Sequence, residues 1–383
     1  MKLSFKGQAN NFFQPIVGKV TRDIDNAKNK ILILDDLTEF KSLDNPLALL
    51  SAKENKIPNT NEIQIPTIFN LVDLNDLKND DIAVLNPNGN IRTLFQAESL
   101  HNSLFVTDRC NSNCLMCSQP PKNREDIPYF YSINSKLVKL LPKELEAIGI
   151  TGGEPTLMGE KLGMLISQIK DELPDTDLQI LTNGRAFAWQ NYTKLISSYY
   201  NDNVIFAVPL YSDYYSHHDY IVQAEDAFNQ TLLGLHNMAR YNFKIEIRIV
   251  LHKQSIERLY ELSKFIYQTL PFVDHIAFMG LEYTGYTPFN HDLLWIDPVE
   301  YQAELQKSVT YLKQNLMNVS IYNLQLCLLP SDLWKYSKKS ISDWKQSYLD
   351  ECNKCTIRDD CGGVFETSKI YSKNIKAFES SIY

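Results

Sequence analysis

From residue 104 onward, short apolar runs alternate with longer segments in which apolar residues recur every three to four positions. The short runs predict buried strands. The recurring positions predict amphipathic helices, because i, i+3, i+4 and i+7 share one helical face. The strands are predicted over 104–107, 147–151, 178–182, 204–210, 244–252 and 275–279, and the helices over or around 137–141, 162–169, 187–199, 226–239, 259–266 and 301–316. Six such pairs predict an α/β domain with a parallel sheet and helices outside it.

The strand predicted over 244–252 shows which face of the sheet carries polar groups. Ile245, Ile247, Ile249 and Leu251 should meet the outer helices, so Glu246, Arg248 and His252 should point to the inner face. Parallel strands packed on both faces are usually apolar throughout. The polar inner face therefore indicates either a lumen that holds a charged ligand or an internal Glu–Arg pair that satisfies itself, and the sequence leaves both open.

The first hundred residues have a different pattern. Strands are predicted at 31–34 and 82–85, and turn residues at 86–90 lead into a returning strand at 91–95. The polar region between the first two strands is predicted to be irregular. This segment is interpreted as a small β-rich N-terminal domain that either caps the barrel or grips a peptide substrate.

Beyond residue 318, a strand is predicted at 319–326 and a helical segment at about 341–348. These shifts in pattern predict three domains. They comprise residues 1–100, 101–318 and 319–383.

Composition narrows the class of protein. A chain of 383 residues exceeds the usual size of one domain, and 44% hydrophobic residues suffice for a large core. The formal net charge of −8 argues against broad nucleic-acid binding. Neither a signal peptide nor an apolar run of membrane-spanning length is recognisable, so a soluble cytoplasmic protein without membrane contact is expected.

The seven cysteines divide into two groups. Three lie at 110, 114 and 117, and four lie between 327 and 361. Their odd number and the absence of secretion signals argue against disulfides. Three thiolates on one short loop can hold three corners of an iron–sulfur cube and leave the fourth iron open to a ligand. The other four thiolates could close a second metal site, either iron–sulfur or zinc.

The C-x3-C-x2-C spacing of Cys110, Cys114 and Cys117 after an apolar run resembles the radical S-adenosylmethionine (SAM) superfamily. The residues at 102–110 and 117–121 resemble a narrower group, the His-Xaa-Ser system radical SAM maturases. Met116 departs from the superfamily pattern, which usually has an aromatic residue near the adenine at this position. A polarizable thioether can fill that space.

The resemblance implies an open, partial (β/α)6 TIM-like barrel, because six units fall short of the eight that close a full barrel. It also implies a [4Fe–4S] cluster whose open iron binds SAM and cleaves it to a 5′-deoxyadenosyl radical. The implied cofactor-binding residues lie in the motif segments and at strand ends. They are Met116 near the adenine, Gly152, Gly153, Glu154 and Pro155 beside the methionyl amine, Asn183 near ribose or carboxylate, Ser212 near ribose, and Arg248 paired with the SAM carboxylate.

The C-terminal cysteines resemble the twitch-type auxiliary domains of peptide-modifying radical SAM enzymes. The resemblance implies a second [4Fe–4S] cluster, with structural zinc as the alternative, at Cys327, Cys352, Cys355 and Cys361. The implied substrate is a ribosomally made peptide or small protein, possibly with His-Xaa-Ser repeats. The implied electron donor is a low-potential protein such as a ferredoxin or flavodoxin.

Two other functions stay open. One is a radical SAM enzyme acting on RNA or a small molecule, and the other is a non-catalytic, zinc-stabilised binding protein. Adjacent His217 and His218 are expected in a loop, exposed or near substrate rather than binding metal.

Overall fold

The computed structural model describes residues 4–35, 37, 45–52 and 65–379. The chain forms two compact units. The first comprises Met1–Phe105, Pro128–Ile148 and Gln168–Thr176, and the second Val106–Ile127, Gly149–Ser167 and Asp177–Tyr383. The domain boundaries near residues 100 and 318 stay a prediction.

An eight-stranded mixed sheet dominates the first unit. Its strands are β1 (Ser4–Lys6), β2 (Gln8–Asn10), β3 (Ile16–Thr21), β4 (Ile31–Leu34), β5 (Ala48–Ser51), β6 (Thr67–Phe69), β7 (Ile82–Leu85) and β8 (Asn90–Phe95). Their order in the sheet is β1-β8-β7-β3-β4-β5-β6-β2. A further strand, β9 (Ser103–Phe105), ends the unit's first segment.

One bent segment, residues 4–10, supplies both edge strands of this sheet, because β1 and β2 are separated only by Gly7. The glycine is required there: a Cβ on Gly7 would lie 2.4 Å from the Phe69 carbonyl oxygen. Apolar side chains fill the interior, among them the fully buried Ile31, Leu50 and Ile68. The first unit therefore has its own hydrophobic core.

The predicted β-rich N-terminal domain is confirmed, and so is the hairpin of β7 and β8, which pair antiparallel with Leu85 opposite Ile91. The prediction of irregular structure between β4 and β7 was wrong in part. Strands β5 and β6 lie there and pair in parallel through Leu49 and Thr67. Residues 53–64 of that region, with Pro58, lie outside the described residues.

A parallel sheet forms the centre of the second unit, with its strands in sequence order. They are β10 (Ala147–Thr151), β11 (Asp177–Leu181), β12 (Val204–Pro209), β13 (Lys244–Leu251), β14 (His275–Gly280), β15 (Val319–Tyr322) and β16 (Ser337–Lys338). The segment after β9 joins this unit through a hydrogen bond from Val106 N to Thr151 O, 2.9 Å long. The predicted α/β class with a parallel sheet is confirmed.

Helices connect these strands. They are α1 (Ile127–Val138), α2 (Glu160–Glu172), α3 (Gln190–Ser197), α4 (Tyr215–Val222), α5 (Ala227–Arg240), α6 (Lys253–Ile256), α7 (Leu259–Thr269), α8 (His291–Leu294) and α9 (Gln302–Gln314). On β13 the predicted outward residues Ile245, Ile247 and Ile249 are all fully buried. The connections after β10 to β13 place several loops at the carboxyl ends of the strands, where such sheets bind ligands.

Two local predictions were wrong. His217 and His218 lie in helix α4 rather than in a loop. The helix has few apolar residues in its first turn, so its sequence gives little helical periodicity. The segment 341–348 is not helical, and instead contains a short strand, β17 (Gln346–Ser347), paired antiparallel with β18 (Val364–Phe365).

Candidate cofactor site

The cysteine loop, residues 110–117, has no helix or strand of its own and is held by its neighbours. The end of α4 accepts two backbone hydrogen bonds from it, Asn113 N to Val222 O and Leu115 N to Ile221 O, each 3.0 Å long. Such bonds fix the loop's backbone without using the cysteine side chains.

The segment after β14 holds the other end of the loop. Tyr286 N donates to Cys117 O at 2.9 Å, and Asn290 Nδ2 donates to Leu115 O at 2.8 Å. Gly285 has φ of +60° and would place a Cβ 2.1 Å from Cys117 O, so only glycine fits at this approach. The loop is therefore anchored from two directions.

The Gly-Gly-Glu-Pro segment packs directly against the chain that leads into Cys110. Gly153 N donates to Thr107 O and Glu154 N donates to Arg109 O, both at 2.7 Å. A Cβ would lie 2.7 Å from Thr107 O at Gly152 and 2.0 Å from Arg109 O at Gly153. Both glycines therefore allow a close contact between two segments of the same chain. Their approach to a ligand stays a prediction.

Glu154 joins this segment to the end of β11. Its Oε1 accepts from Thr182 Oγ1 at 2.6 Å and from both the nitrogen and the hydroxyl of Thr156. Its Oε2 accepts from Asn183 N at 2.7 Å. The carboxyl group is fully buried, and burial raises its pKa although these hydrogen bonds act in the opposite direction. Pro155 then starts a 3-10 helix that Glu154 caps.

Asn183 and Arg185 follow β11 and contact the cysteine loop. Asn183 Nδ2 donates to Asn111 Oδ1 at 2.6 Å. Arg185 donates to the Asn111 carbonyl oxygen and, at 3.2 Å, to Ser112 Oγ. The sequence analysis singled out Asn183 but missed Arg185, whose only sequence signal is its position after the Asn-Gly turn.

The three thiols of the loop influence one another. Burial raises the pKa of Cys110 to about 12, and the Glu154 carboxylate adds to this shift. Burial also raises the pKa of Cys114, with further contributions from Cys110 and Cys117. Iron binds the thiolate, so cluster formation must displace protons from these sulfurs. The donor set fits a cluster, with three soft ligands on one fixed loop.

Two further predicted site residues are Met116 and Ser212. Met116 lies on the apolar side of the cysteine loop, and Ser212 lies close to helix α4. Met116 is buried in a cluster with Leu115, Tyr211, Ile221, Val222, Ala227 and Leu294. Ser212 is buried, and its Oγ lies 3.2 Å from His217 Nδ1. Their contacts with adenine and ribose stay predictions.

Arg248 belongs to a series of hydrogen-bonded polar side chains that crosses the sheet. Its Nε donates to Glu246 Oε1 at 2.5 Å, Glu246 Oε2 lies 2.8 Å from His275 Nδ1, and His275 Nε2 lies 3.0 Å from Ser320 Oγ. Burial raises the pKa of Glu246, but His275 and Arg248 together hold it below its usual value. The Glu–Arg pair, one of the two alternatives that the sequence left open, therefore exists, and it extends to a histidine that the sequence analysis did not connect with it.

Two buried histidines flank Tyr211, with ring centroids 5.9 Å from the tyrosine ring in each case. His218 Nδ1 accepts from Tyr211 N, and His252 Nδ1 accepts from Ser255 N. Burial lowers the pKa of each to about 3. Among the described residues, His252 Nε2 is buried without a hydrogen-bond partner. Both imidazoles are therefore neutral in the folded protein.

The four C-terminal cysteines line a single pocket, together with residues such as Leu326, Tyr348 and Ile357. Cys327 and Cys352 also pack against an apolar cluster of Leu328, Val364 and Ile375. Two backbone nitrogens point at the sulfurs, Leu326 N toward Cys361 and Phe378 N toward Cys355, each at 3.5 Å. Such N–H groups can stabilise negative charge on a thiolate sulfur.

Among the described residues, no group of three or more His, Cys, Asp or Glu residues is arranged to hold a single metal ion. In the same part of the chain, every helix is too short or too polar to cross a membrane.

One segment of the chain matches a known protein family. The sequence profile of the radical SAM superfamily matches residues 104–266. A GTP 3',8-cyclase from Campylobacter curvus is 33% identical over 97 residues, which cover 24% of this chain and 29% of that protein. The chain thus spans less than a third of the length of the curated relatives that it matches.

Two solved structures are similar to the chain. SuiB from Streptococcus suis bound to precursor peptide SuiA has a TM-score of 0.45 and 16% identity over 58% of this chain and 48% of that one. A radical SAM methyltransferase from Sphaerobacter thermophilus has a TM-score of 0.45 and 12% identity, covering 66% and 75% of the two chains.

Replacing Gly153 by alanine tests the contact before Cys110. The new Cβ would meet the Arg109 carbonyl oxygen at 2.0 Å, so the two segments must separate. We expect Gly153→Ala to retain much less iron after anaerobic reconstitution, measured as iron and sulfide per chain. The control is Gly159→Ala, where φ is +59° but no atom lies within 4 Å; it should cost about 1–3 kcal/mol of stability and keep its iron. Equal iron in both variants would contradict this account.

Acid should destabilise the cluster-free protein through His252. Its folded pKa of about 3 lies below the usual 6.5, so stability is complete above pH 6.5 and is lost as pH falls toward 3. Protonation of one such histidine on unfolding should lower the free energy of unfolding by roughly 1.5 kcal/mol between about pH 6.5 and 5.

Urea unfolding at both pH values measures this loss. His252→Asn keeps an acceptor for Ser255 N but cannot titrate, so its loss should be smaller by that amount. The exposed His236, replaced by asparagine, is the control and should behave as wild type. An unchanged loss in His252→Asn would show that another group causes it.

Proposed function

We propose that the chain is a radical SAM enzyme, because the profile of that superfamily matches residues 104–266. Cys110, Cys114 and Cys117 would hold a [4Fe–4S] cluster, which supplies the electron that cleaves SAM to a 5′-deoxyadenosyl radical. The observation that carries the proposal is the contact of Gly152 and Gly153 with the chain just before Cys110. It brings the two motifs together within one unit.

The chain's own residues would position SAM. Glu246 fixes Arg248 through its Nε, and the planar guanidinium is suited to bind the SAM carboxylate through paired hydrogen bonds. Asn183 is held at its backbone nitrogen by Glu154 and at its side chain by Asn111. Met116 closes the apolar side of the loop. These residues would orient the cofactor and keep water away from it.

The second cofactor in this proposal is another [4Fe–4S] cluster, held by Cys327, Cys352, Cys355 and Cys361. Support comes from the four thiols, which line one pocket, and from the resemblance of their spacing to twitch-type auxiliary domains. A zinc ion held by the same four thiolates, with Zn–S bonds of about 2.3 Å, is the alternative outcome.

The proposed substrate is a ribosomally made peptide or small protein, possibly one with His-Xaa-Ser repeats. Its support is the resemblance of residues 102–110 and 117–121 to the His-Xaa-Ser system maturases, together with the twitch-like set of four cysteines. A ferredoxin or flavodoxin would deliver the electron. A small-molecule substrate is the second candidate, because the curated relatives are GTP 3',8-cyclases.

Anaerobic reconstitution tests the cofactor assignment. Two four-iron clusters require about eight iron and eight sulfide per chain, and each site should account for about four. Cys117→Ala should lose about four iron and abolish release of 5′-deoxyadenosine on reduction with dithionite. Cys327→Ala is the matched variant, which should lose a similar amount of iron at the other site and still cleave SAM. Zinc in the second site, or SAM cleavage that survives Cys117→Ala, would contradict the assignment.

Substrate class is tested with the reconstituted wild-type enzyme. A peptide containing His-Xaa-Ser repeats, GTP and a structured RNA are each incubated with SAM and dithionite. We expect a mass change in the peptide alone, accompanied by 5′-deoxyadenosine in excess of a substrate-free reaction. A product from GTP would favour the small-molecule candidate and overturn the peptide assignment.

A further inference from the structure

Polar side chains from three neighbouring strands meet on one face of the parallel sheet. Glu246 of β13 is the register partner of His275 at the start of β14, and Arg248 lies two positions further along β13 on the same face. Strand β15 contributes Ser320, whose register partner is Ala277. Because side chains on one face of a strand recur at every second residue, the register brings these polar groups together.

Glu246 binds the Arg248 guanidinium through one oxygen only. Its Oε1 accepts from Arg248 Nε at 2.5 Å and from Gln179 Nε2 at 3.4 Å, whereas its Oε2 lies 2.8 Å from His275 Nδ1. An ionised carboxylate only accepts hydrogen bonds, so the imidazole donates through Nδ1. A carboxylate beside an arginine frequently takes two of its N–H groups in a paired arrangement. Here His275 holds the second oxygen, and that pairing is incomplete.

The terminal nitrogens of Arg248 are the donors left over by this arrangement. Among the residues that the structure describes, Nε makes the only hydrogen bond of the guanidinium, although just 16% of the side chain is exposed. A mostly buried donor without a partner is costly, and a guanidinium can satisfy two such donors at once on a carboxylate. The free nitrogens therefore fit a ligand that carries a carboxylate.

His275 is itself held from its other side. Its Nε2 lies 3.0 Å from Ser320 Oγ, and its ring centroid lies 6.0 Å from that of Tyr322. The ring cannot turn away from Glu246 without also giving up the contact with the Ser320 hydroxyl. The direction of the Nδ1 donor is therefore fixed before any ligand binds.

We propose that His275 is a positioning residue, which occupies one oxygen of Glu246 and so leaves the terminal nitrogens of Arg248 free for the carboxylate of SAM. Without the imidazole, that oxygen would be a buried acceptor lacking a partner, and turning toward Arg248 would relieve this cost. Glu246 would then take a terminal N–H that the ligand needs. The inference rests on the proposed function, which assigns SAM to this chain.

Equilibrium binding of radiolabelled SAM to the reconstituted, oxidised protein tests this role without turnover. We expect His275→Leu to bind SAM about tenfold more weakly, which is the loss typical of one hydrogen bond to a charged group. His275→Asn keeps an N–H donor near the position of Nδ1 and should recover most of the affinity. 5′-Methylthioadenosine lacks the amino acid group of SAM, so its affinity should be the same for wild type and both variants.

A double variant separates this role from general damage to the sheet. Arg248→Leu removes the group through which His275 acts, so adding His275→Leu to it should weaken SAM binding no further. A second loss of about tenfold in the double variant would show that His275 acts independently of Arg248, and would overturn the inference. The exposed His236, replaced by asparagine, is the control and should bind SAM as wild type does.

The outcomes also separate this inference from the function on which it rests. A wild-type protein that forms no cluster, or that forms one and binds no SAM, would overturn the proposed function itself. A normal cluster with unchanged SAM affinity in His275→Leu would overturn only the role of His275.

If His275→Leu fails to retain its cluster, Ser320→Ala decides the question. This variant removes the partner of His275 Nε2 and leaves the imidazole in place. SAM should then bind about threefold more weakly, as expected for one neutral hydrogen bond, with the affinity for 5′-methylthioadenosine unchanged. Equal SAM affinity in Ser320→Ala and wild type would oppose the inference.

Discussion

The close approach of Gly153 to Arg109 is the constraint on which the site depends. Two backbone segments meet there with no room for a Cβ, since one would lie 2.0 Å from the Arg109 oxygen. The first segment leads into Cys110 and the second into Glu154. Because the contact is made by main-chain atoms, it positions both segments without relying on side-chain rotamers. Glu154 then extends the connection to the end of β11.

Two buried carboxylates of the second unit, Glu154 and Glu246, show how partners decide the state of an acid. Glu154 accepts hydrogen bonds from neutral donors, and burial raises its pKa. Glu246 is also buried, yet Arg248 and His275 hold its pKa below the usual value. The first carboxyl group connects its own segment to the end of β11, whereas the second fixes the direction of a guanidinium. Similar burial thus serves different purposes in the two places.

Sequence patterns predicted the second unit well, because its strands are apolar and its helices are long enough to show their period. The strand Ala147–Thr151 was predicted with both its ends. The first unit was harder to predict. Strands such as Gln8–Asn10 have three residues and depend on partners far away in the chain. Their pairing is a tertiary effect that local propensity does not contain.

The candidate site likewise contains residues that the sequence predicted and residues that it did not. Spacing and chemistry identified the three loop cysteines, since soft ligands at short intervals are rare. Arg185 could not be identified, because its role comes from a contact between residues 74 apart in the chain. Helix α4 was missed for a related reason: its first turn is polar, and the part that holds the cysteine loop is its C-terminal backbone. Backbone groups have no signature in a sequence.

The bent segment Ser4–Asn10 imposes an order on the folding of the first unit. Its first half pairs with Asn90–Arg92 and its second half with Thr67–Phe69, so both partners are synthesised long after it. During translation the first half of this segment must therefore stay unpaired until Asn90–Arg92 has been synthesised. Contacts across so many residues carry a large loop-closure entropy and form slowly. Closure of this sheet is accordingly expected to be a late step, one that a nascent chain stalled before Phe95 could not complete.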